Sequence, residues 1–245
     1  MASSSSLTRR DFVRLCGATA LLQVDALNAA APVGYRPFET VALVDDHGRP
    51  LGPADLDIER EYLFYYPYRS TPSFLLRLAG PTQTDIAMAP QEGEDYRWPG
   101  GVGAEGSVVA FCAICTHKLS YPSPQVSFIG YRSQPVGFYA TGSKRTERRS
   151  GVIQCCSEHS IYDPAAGAKV LAGPAPHPLT AIALEERDGA LFATGVYGPT
   201  VYDRFFDRFG FQLALQHGGD YAKPVVGHSR VAPGDQVVRQ SMTCS

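Results

Sequence analysis

From residue 38 the chain is written in short apolar runs, cut by clusters of Gly, Pro and Asp. VALV at 41–44, YLFYYPY at 62–68 and SFLLRL at 73–78 are β-branched, aromatic and aliphatic runs of strand type. SVVAF at 107–111 is a further strand candidate, and 151–154, 169–171, 180–184 and 190–194 read the same way. The pair spanning 182–194 is joined at Glu185–Gly189, a hairpin connection. VSFIGYR at 126–132 and PVGFYA at 135–140 suggest a hairpin turning at Ser133–Pro135, followed by a basic loop from Lys144 to Arg149. The polar, Gly-rich stretch Gln91–Gly106, which holds the single tryptophan Trp98, reads as a long loop. After Val196 the period changes. Thr200 is placed to cap a short helix with Val201, Phe205 and Phe209 on one face, stopped by Gly210. The last thirty residues have little period and read as an extended tail. The pattern predicts an all-β fold.

Composition narrows the classes. The chain has 245 residues, 44 % hydrophobic and 19 % charged, enough for a core and unlike a disordered chain. The formal net charge of −2 argues against nucleic acid as a partner. Between Glu39 and Gly100 eleven acids face five arginines, as acid-rich turns between strands would produce. No run of eighteen charge-free apolar residues exists, so an ordinary membrane-spanning helix is not expected.

The first 36 residues read as a leader. Arg9 and Arg10 precede Asp11 and Phe12, a short apolar run from Leu15 to Val24 follows, and small residues lead to Pro32. The run Thr8–Val13 resembles the twin-arginine export signal of bacteria, whose route carries proteins folded around a cofactor. The resemblance implies a periplasmic protein, with the leader either cleaved or retained.

Six cysteines are too few for a disulfide scaffold in a chain of this length. Cys16 and Cys244 stand near the ends. The other four lie in FCAICTHKLS (111–120) and QCCSEHSIYD (154–163). Cys115 precedes His117 by two positions, and Cys156 precedes His159 by three. Each loop therefore offers a thiolate and an imidazole. Two sulfurs and two nitrogens suit either tetrahedral zinc or a [2Fe–2S] cluster with two histidines on one iron. A zinc site that includes Cys112, two residues apart from Cys115, is open on spacing alone.

These motifs resemble the Rieske iron–sulfur family. Cys115-Thr116-His117 matches the first family motif. Cys156 and His159 match the second, with Ser160-Ile161-Tyr162-Asp163 following if one glycine is deleted. Gly173-Pro174-Ala175-Pro176 matches a downstream proline loop. The resemblance covers about 107–195. It implies a Rieske-type antiparallel β-sandwich with a cluster-binding subdomain of two loops. It divides the chain into a leader at 1–36, a Rieske domain at 37–199 (cluster-binding part about 107–178, insert about 126–150) and a C-terminal extension with a short helix at 200–245.

By motif position Cys115, His117, Cys156 and His159 are the implied metal ligands. Ser160 and Tyr162 are the implied donors to the cluster sulfurs, with Gly173 and Pro174 packed beside them. The family's usual disulfide between the loops is expected to be absent, because Ser120 and Glu158 stand at those positions. Cys112 and Cys155 are left as separate buried thiols or as a displaced bridge. The implied function is electron transfer as the redox subunit of a quinol-oxidising, cytochrome-reducing respiratory complex, not a complete enzyme by itself. Its implied partners are a cytochrome or other haem subunit and a membrane quinol-oxidising subunit. The alternatives are the small subunit beside a molybdenum subunit of an arsenite-oxidase-like enzyme, or a structural zinc subunit. The basic stretch Lys144–Arg149 reads either as a solvated loop or as a docking site for an acidic redox partner.

Overall fold

The computed structural model describes residues 33–244. The expected leader therefore falls almost wholly outside the described residues. The described chain is predominantly β, with two α-helices. The strands are β1 (Tyr35–Val44), β2 (Glu61–Tyr65), β3 (Pro72–Arg77), β4 (Ile86–Met88), β5 (Tyr96–Trp98), β6 (Val108–Cys112), β7 (Ile129–Arg132) and β8 (Val136–Ala140). They continue as β9 (Arg145–Arg149), β10 (Val152–Cys155), β11 (Ser160–Asp163), β12 (Lys169–Ala172), β13 (Ala181–Arg187), β14 (Ala190–Tyr197), β15 (His228–Arg230) and β16 (Ala232–Pro233). The helices are α1 (Tyr202–His217) and α2 (Gly234–Val237).

An eight-stranded sheet has the order β15-β1-β14-β13-β6-β3-β2-β16, and a four-stranded sheet the order β12-β11-β10-β7. Pairing in both is antiparallel except for β1 with β15. β6 shows why the large sheet forms. All five of its residues are buried. Val109 and Phe111 join one core cluster with Phe74 and Leu76, while Val108 and Ala110 join another with Leu75 and Phe64. Successive side chains point to opposite faces, so an uninterrupted apolar run is a strand covered on both sides.

Four expectations on the elements are corrected. β7 and β8 do not form a hairpin: β7 pairs with β10, and β8 pairs with the segment read as a basic loop, which is strand β9. Phe138 and Ala140 of β8 pack on Val152, Ile161 and Ala172, and that burial sets the register. The stretch read as a loop around Trp98 contains β5, and Trp98 is buried against Phe111 and Gly167. Gly210 does not stop α1, which runs to His217; a Cβ at Gly210 would lie 2.9 Å from the Tyr221 hydroxyl, so the glycine admits a neighbour. The C-terminal tail is drawn onto the large sheet through β15 and β16.

The two sheets meet at Glu61. The Tyr131 amide of β7 donates to its carboxylate at 2.6 Å. Gly130 and Gly234 leave room for the group: added Cβ atoms would stand 3.1 Å and 2.6 Å from its two oxygens. The residue is half-exposed, but its carboxyl group is turned inward. Burial pushes the carboxyl up to about 7, against the Tyr131 amide and the nearby Arg132, which act to lower it; Asp235 acts with burial. A folded pKa above the unfolded one means that the native state holds the extra proton. Stability is then fullest below about 4.5 and is lost as pH rises to about 7, by at most about 3 kcal/mol. Urea unfolding from pH 4 to pH 8 checks this. Glu61→Gln, whose amide oxygen still accepts from Tyr131, should flatten the slope and stabilise the protein at pH 8.

Candidate functional site

Two loops at the meeting of the sheets build the site. The first leaves β6 at Cys112 and carries Cys115, Thr116 and His117. Its turn is closed by backbone bonds from Leu119 to Cys115 and from Cys115 to Ser120, with Leu119 in the left-handed region at φ 61°. The second is the turn 156–159 between β10 and β11. Here Cys155 is the last residue of β10 and stands directly opposite Ser160, the first of β11. The turn closes through His159, itself at φ 57°. With no glycine after it, His159 itself takes the left-handed conformation, at a cost of about 1 kcal/mol.

That register decides which sulfur faces inward. Cys115 and Cys155 are both free and fully buried, in one core cluster with Tyr162. The Cys155 thiol bonds toward the Cys115 sulfur and is the main cause holding Cys115 down to about 6. Burial opposes this, and the Tyr162 hydroxyl and the His117 and Lys118 amides reinforce it. Cys155 is correspondingly pushed up. Ionisation of one thiol therefore disfavours ionisation of the other. The Tyr162 hydroxyl lies 3.4 Å from Cys115 Sγ and 3.3 Å from Thr116 Oγ1, and Thr116 donates to the His177 carbonyl at 2.9 Å. His177, beside the proline loop, is buried, with its Nδ1 2.9 Å from the Pro178 carbonyl.

Cys156 is elsewhere. It is half-buried and joined to Cys244 in a disulfide with a sequence separation of 88. The expected resemblance to a Rieske chain without a disulfide is corrected by this bond, and Cys156 offers no free thiolate. Closing a loop of that size stabilises a chain by about 4–5 kcal/mol on chain-entropy grounds. The strand register explains the choice. Neighbouring residues at a strand end point to opposite sides, so only one of two adjacent cysteines can face Cys115. Cys112 is not bridged to Cys155; it is a buried free thiol packed beside Tyr202 in a different cluster. Between the loops it is Ser157, not the expected Glu158, that meets Ser120: the two Oγ atoms are 2.6 Å apart, and Glu158 is exposed.

Two polar atoms at this place lack partners among the described residues. His117 Nδ1 and Ser160 Oγ are buried and make no hydrogen bond. His159 is exposed at the tip of its turn, next to exposed Glu158. No group of three or more His, Cys, Asp or Glu side chains among the described residues is gathered closely enough to hold a metal. The structure therefore joins Cys115, Cys155, Ser160 and Tyr162, brings His117 to the edge of that group, and leaves His159 outside it.

The proline loop closes the back of the site. A Cβ at Gly173 (φ 85°) would stand 2.6 Å from the Ser160 Cα. α1 braces the first loop. Leu119 and Tyr121 pack with Phe205 and Phe209, and Arg204 reaches the His117 carbonyl at 3.4 Å. Sequence reading missed Cys155, Cys244 and this brace. Alternation along 152–155 was the available signal for Cys155; nothing local points to Cys244.

No family model and no curated protein matches the chain. Among solved structures, the soluble domain of the Rieske protein II (soxF) from Sulfolobus acidocaldarius is similar at 25 % identity, over 65 % of this chain and 78 % of that one, with a TM-score of 0.41. The two backbones superpose too loosely at that score for anything to be transferred. Among the described residues no helix is long and apolar enough to cross a membrane.

The close approach at Gly173 is testable. Gly173→Ala should lower the unfolding free energy by about 2 kcal/mol, since it combines backbone strain with overlap. Gly142→Ala, in open space, should leave the urea midpoint unchanged.

Proposed function

We propose that the chain carries electrons through a Rieske-type [2Fe–2S] cluster, with Cys115 and Cys155 on one iron and His117 on the other, where His159, exposed at the tip of its turn, would have to swing inward to complete the set. Cys155 takes the place that motif spacing assigns to Cys156. The observation that carries the reading is a pair of buried free thiols in contact, with an unpartnered buried imidazole nitrogen two residues beyond Cys115 and an unpartnered buried hydroxyl opposite Cys155. Such a set suits a group that accepts thiolate, imidazole and hydrogen-bond donation at once. When bound, that cluster would supply one-electron chemistry at a potential raised by its two neutral histidine ligands.

The chain's own residues have separate duties. Tyr162 donates toward Cys115 Sγ, and Ser160 has a hydroxyl free to donate inward. Donors to the sulfurs favour the more negative, reduced state. Thr116 ties the first loop to the proline loop through the His177 carbonyl.

The physiological setting is a redox subunit exported by the twin-arginine route to the periplasmic side of a membrane. It would work beside a haem subunit in a quinol-oxidising complex, or beside a molybdenum subunit as the alternative. Its docking face is the hairpin β8–β9. Lys144, Arg145 and Arg148 are exposed and make no ion pair among the described residues, while Arg149 pairs with Asp163 at 2.9 Å. Tyr139 is 61 % exposed beside them. The hairpin carries a net +3 on a chain of net −2, so the remainder carries −5. That separation of charge orients an acidic partner toward the hairpin.

Electron paramagnetic resonance on the reduced protein, as isolated from an iron-replete host, tests the cluster. A rhombic [2Fe–2S] signal is expected. It should be lost in Cys155→Ser and kept in Cys156→Ser, and stoichiometric zinc without iron would overturn the reading. Tyr162→Phe should keep the signal and lower the potential. For the docking face, reduction of an acidic c-type cytochrome should slow as salt rises. Reversing Lys144, Arg145 and Arg148 to Glu should slow it about tenfold at low salt; an unchanged rate removes the hairpin from the docking face.

A further inference from the structure

The C-terminal segment is held on the second cysteine loop by more than its disulfide. The Ser127 amide donates to the Gln240 carbonyl at 2.9 Å, the Met242 amide returns to the Ser127 carbonyl at 2.8 Å, and Arg239 donates to the Pro124 carbonyl at 3.0 Å. The Arg132 guanidinium donates to the Met242 carbonyl and to Gln154 Oε1, the latter at 3.2 Å, and lies 3.9 Å from Cys156 Sγ. The Cys156 amide itself donates to the Phe128 carbonyl. These contacts make a short edge that runs along 124–128 and ends at the turn 156–159.

We propose that Arg239–Cys244 is a covalent strap whose disulfide holds closed the turn in which the strand register faces Cys155 to Cys115, and that its reduction releases the second loop. With Cys156 bonded to Cys244, the backbone at 155–156 is held so that Cys155 turns inward to Cys115 and Tyr162. Without that bond the turn is held only by the ladders of β10 with β11 and β7 and by the backbone contacts of the tail, and it opens more readily. Cys244 is thus a positioning residue acting through Cys156. Both sulfurs are half-buried near the chain end, where a small dithiol can reach them. In the step, a thiolate of the dithiol attacks one sulfur, and the mixed disulfide closes to the reductant's cyclic disulfide. Two electrons and two protons pass to Cys156 and Cys244, leaving both as thiols. The inference deepens the functional reading, in which Cys155 is a ligand, but its test needs no metal.

A tryptic digest under non-reducing conditions should join the peptides 150–169 and 240–245, with fragmentation placing the bond at Cys156. Cys244 found free, or bonded to any other cysteine, overturns the proposal. Alkylation with iodoacetamide then reads the inward cysteine. In Cys244→Ser, Cys155 should be modified at least about tenfold faster than in the parent protein, as expected for local opening of the loop. Cys112, buried under α1, should keep its rate. Brief dithiothreitol treatment of the parent protein should reproduce the same selective acceleration, so the result does not depend on how well the variant folds. Equal rates at Cys155 with and without the strap overturn the proposal, as does equal acceleration at Cys112, which would mean general loosening.

Discussion

A buried polar atom without a partner costs about 1–3 kcal/mol. Two of them, His117 Nδ1 and Ser160 Oγ, lie in the two segments that carry the buried thiols Cys115 and Cys155. Folding tolerates this because everything around the site is over-determined. β6 delivers Cys115 from a strand covered on both faces, and the β10–β11 ladder delivers Cys155 opposite Ser160. Tyr162, one turn of the pleat further along β11, reaches back to Cys115. The rigid parts fix the positions of polar groups that find no partner among the described residues, and the proposed function rests on that arrangement.

The site was legible in the sequence as a place more than as a list of atoms. Two cysteine–histidine loops, the S-x-Y-D run and the proline loop each mark residues that the structure brings together. Motif spacing failed at one position, choosing Cys156 where the strand register presents Cys155. The spacing rule counts along the chain from cysteine to histidine. What decides which cysteine faces Cys115 is the pairing of Cys155 with Ser160 across a four-residue turn, and in that turn His159 takes the left-handed conformation. A one-residue error flips a side chain to the opposite face, so the cost of that misreading is the largest a strand end allows.

The fold was read best where burial and pattern agree, as along 73–78 and 107–111. It was read worst where long-range packing chose between local options. Arg145–Arg149 is polar enough to be a loop, yet it pairs with β8 because Phe138 and Ala140 bury themselves on the small sheet. The terminal thirty residues have no period because they add short edge strands and a strap, each held by backbone bonds that composition does not encode. Glu61 carries no signal of burial at all. The niche made for it by Gly130 and Gly234 exists only once three separate elements have come together.

The two loops have different anchors, and this bears on how the site is held closed. The first loop is braced by α1 through Leu119, Tyr121 and the Arg204 contact with the His117 carbonyl. The second is tied covalently to the tail. Between the loops themselves stand the Ser120–Ser157 hydrogen bond, the contact of the two thiols and the Tyr162 hydroxyl. The serine pair is partly exposed, so water competes for it and its net worth is on the order of 1 kcal/mol. A covalent bridge at the same place would hold the loops at fixed separation whether or not anything lay between them. With the disulfide running to the tail, the spacing of the loops depends on the groups that join them across the site: the serine pair, the two thiols and the Tyr162 hydroxyl.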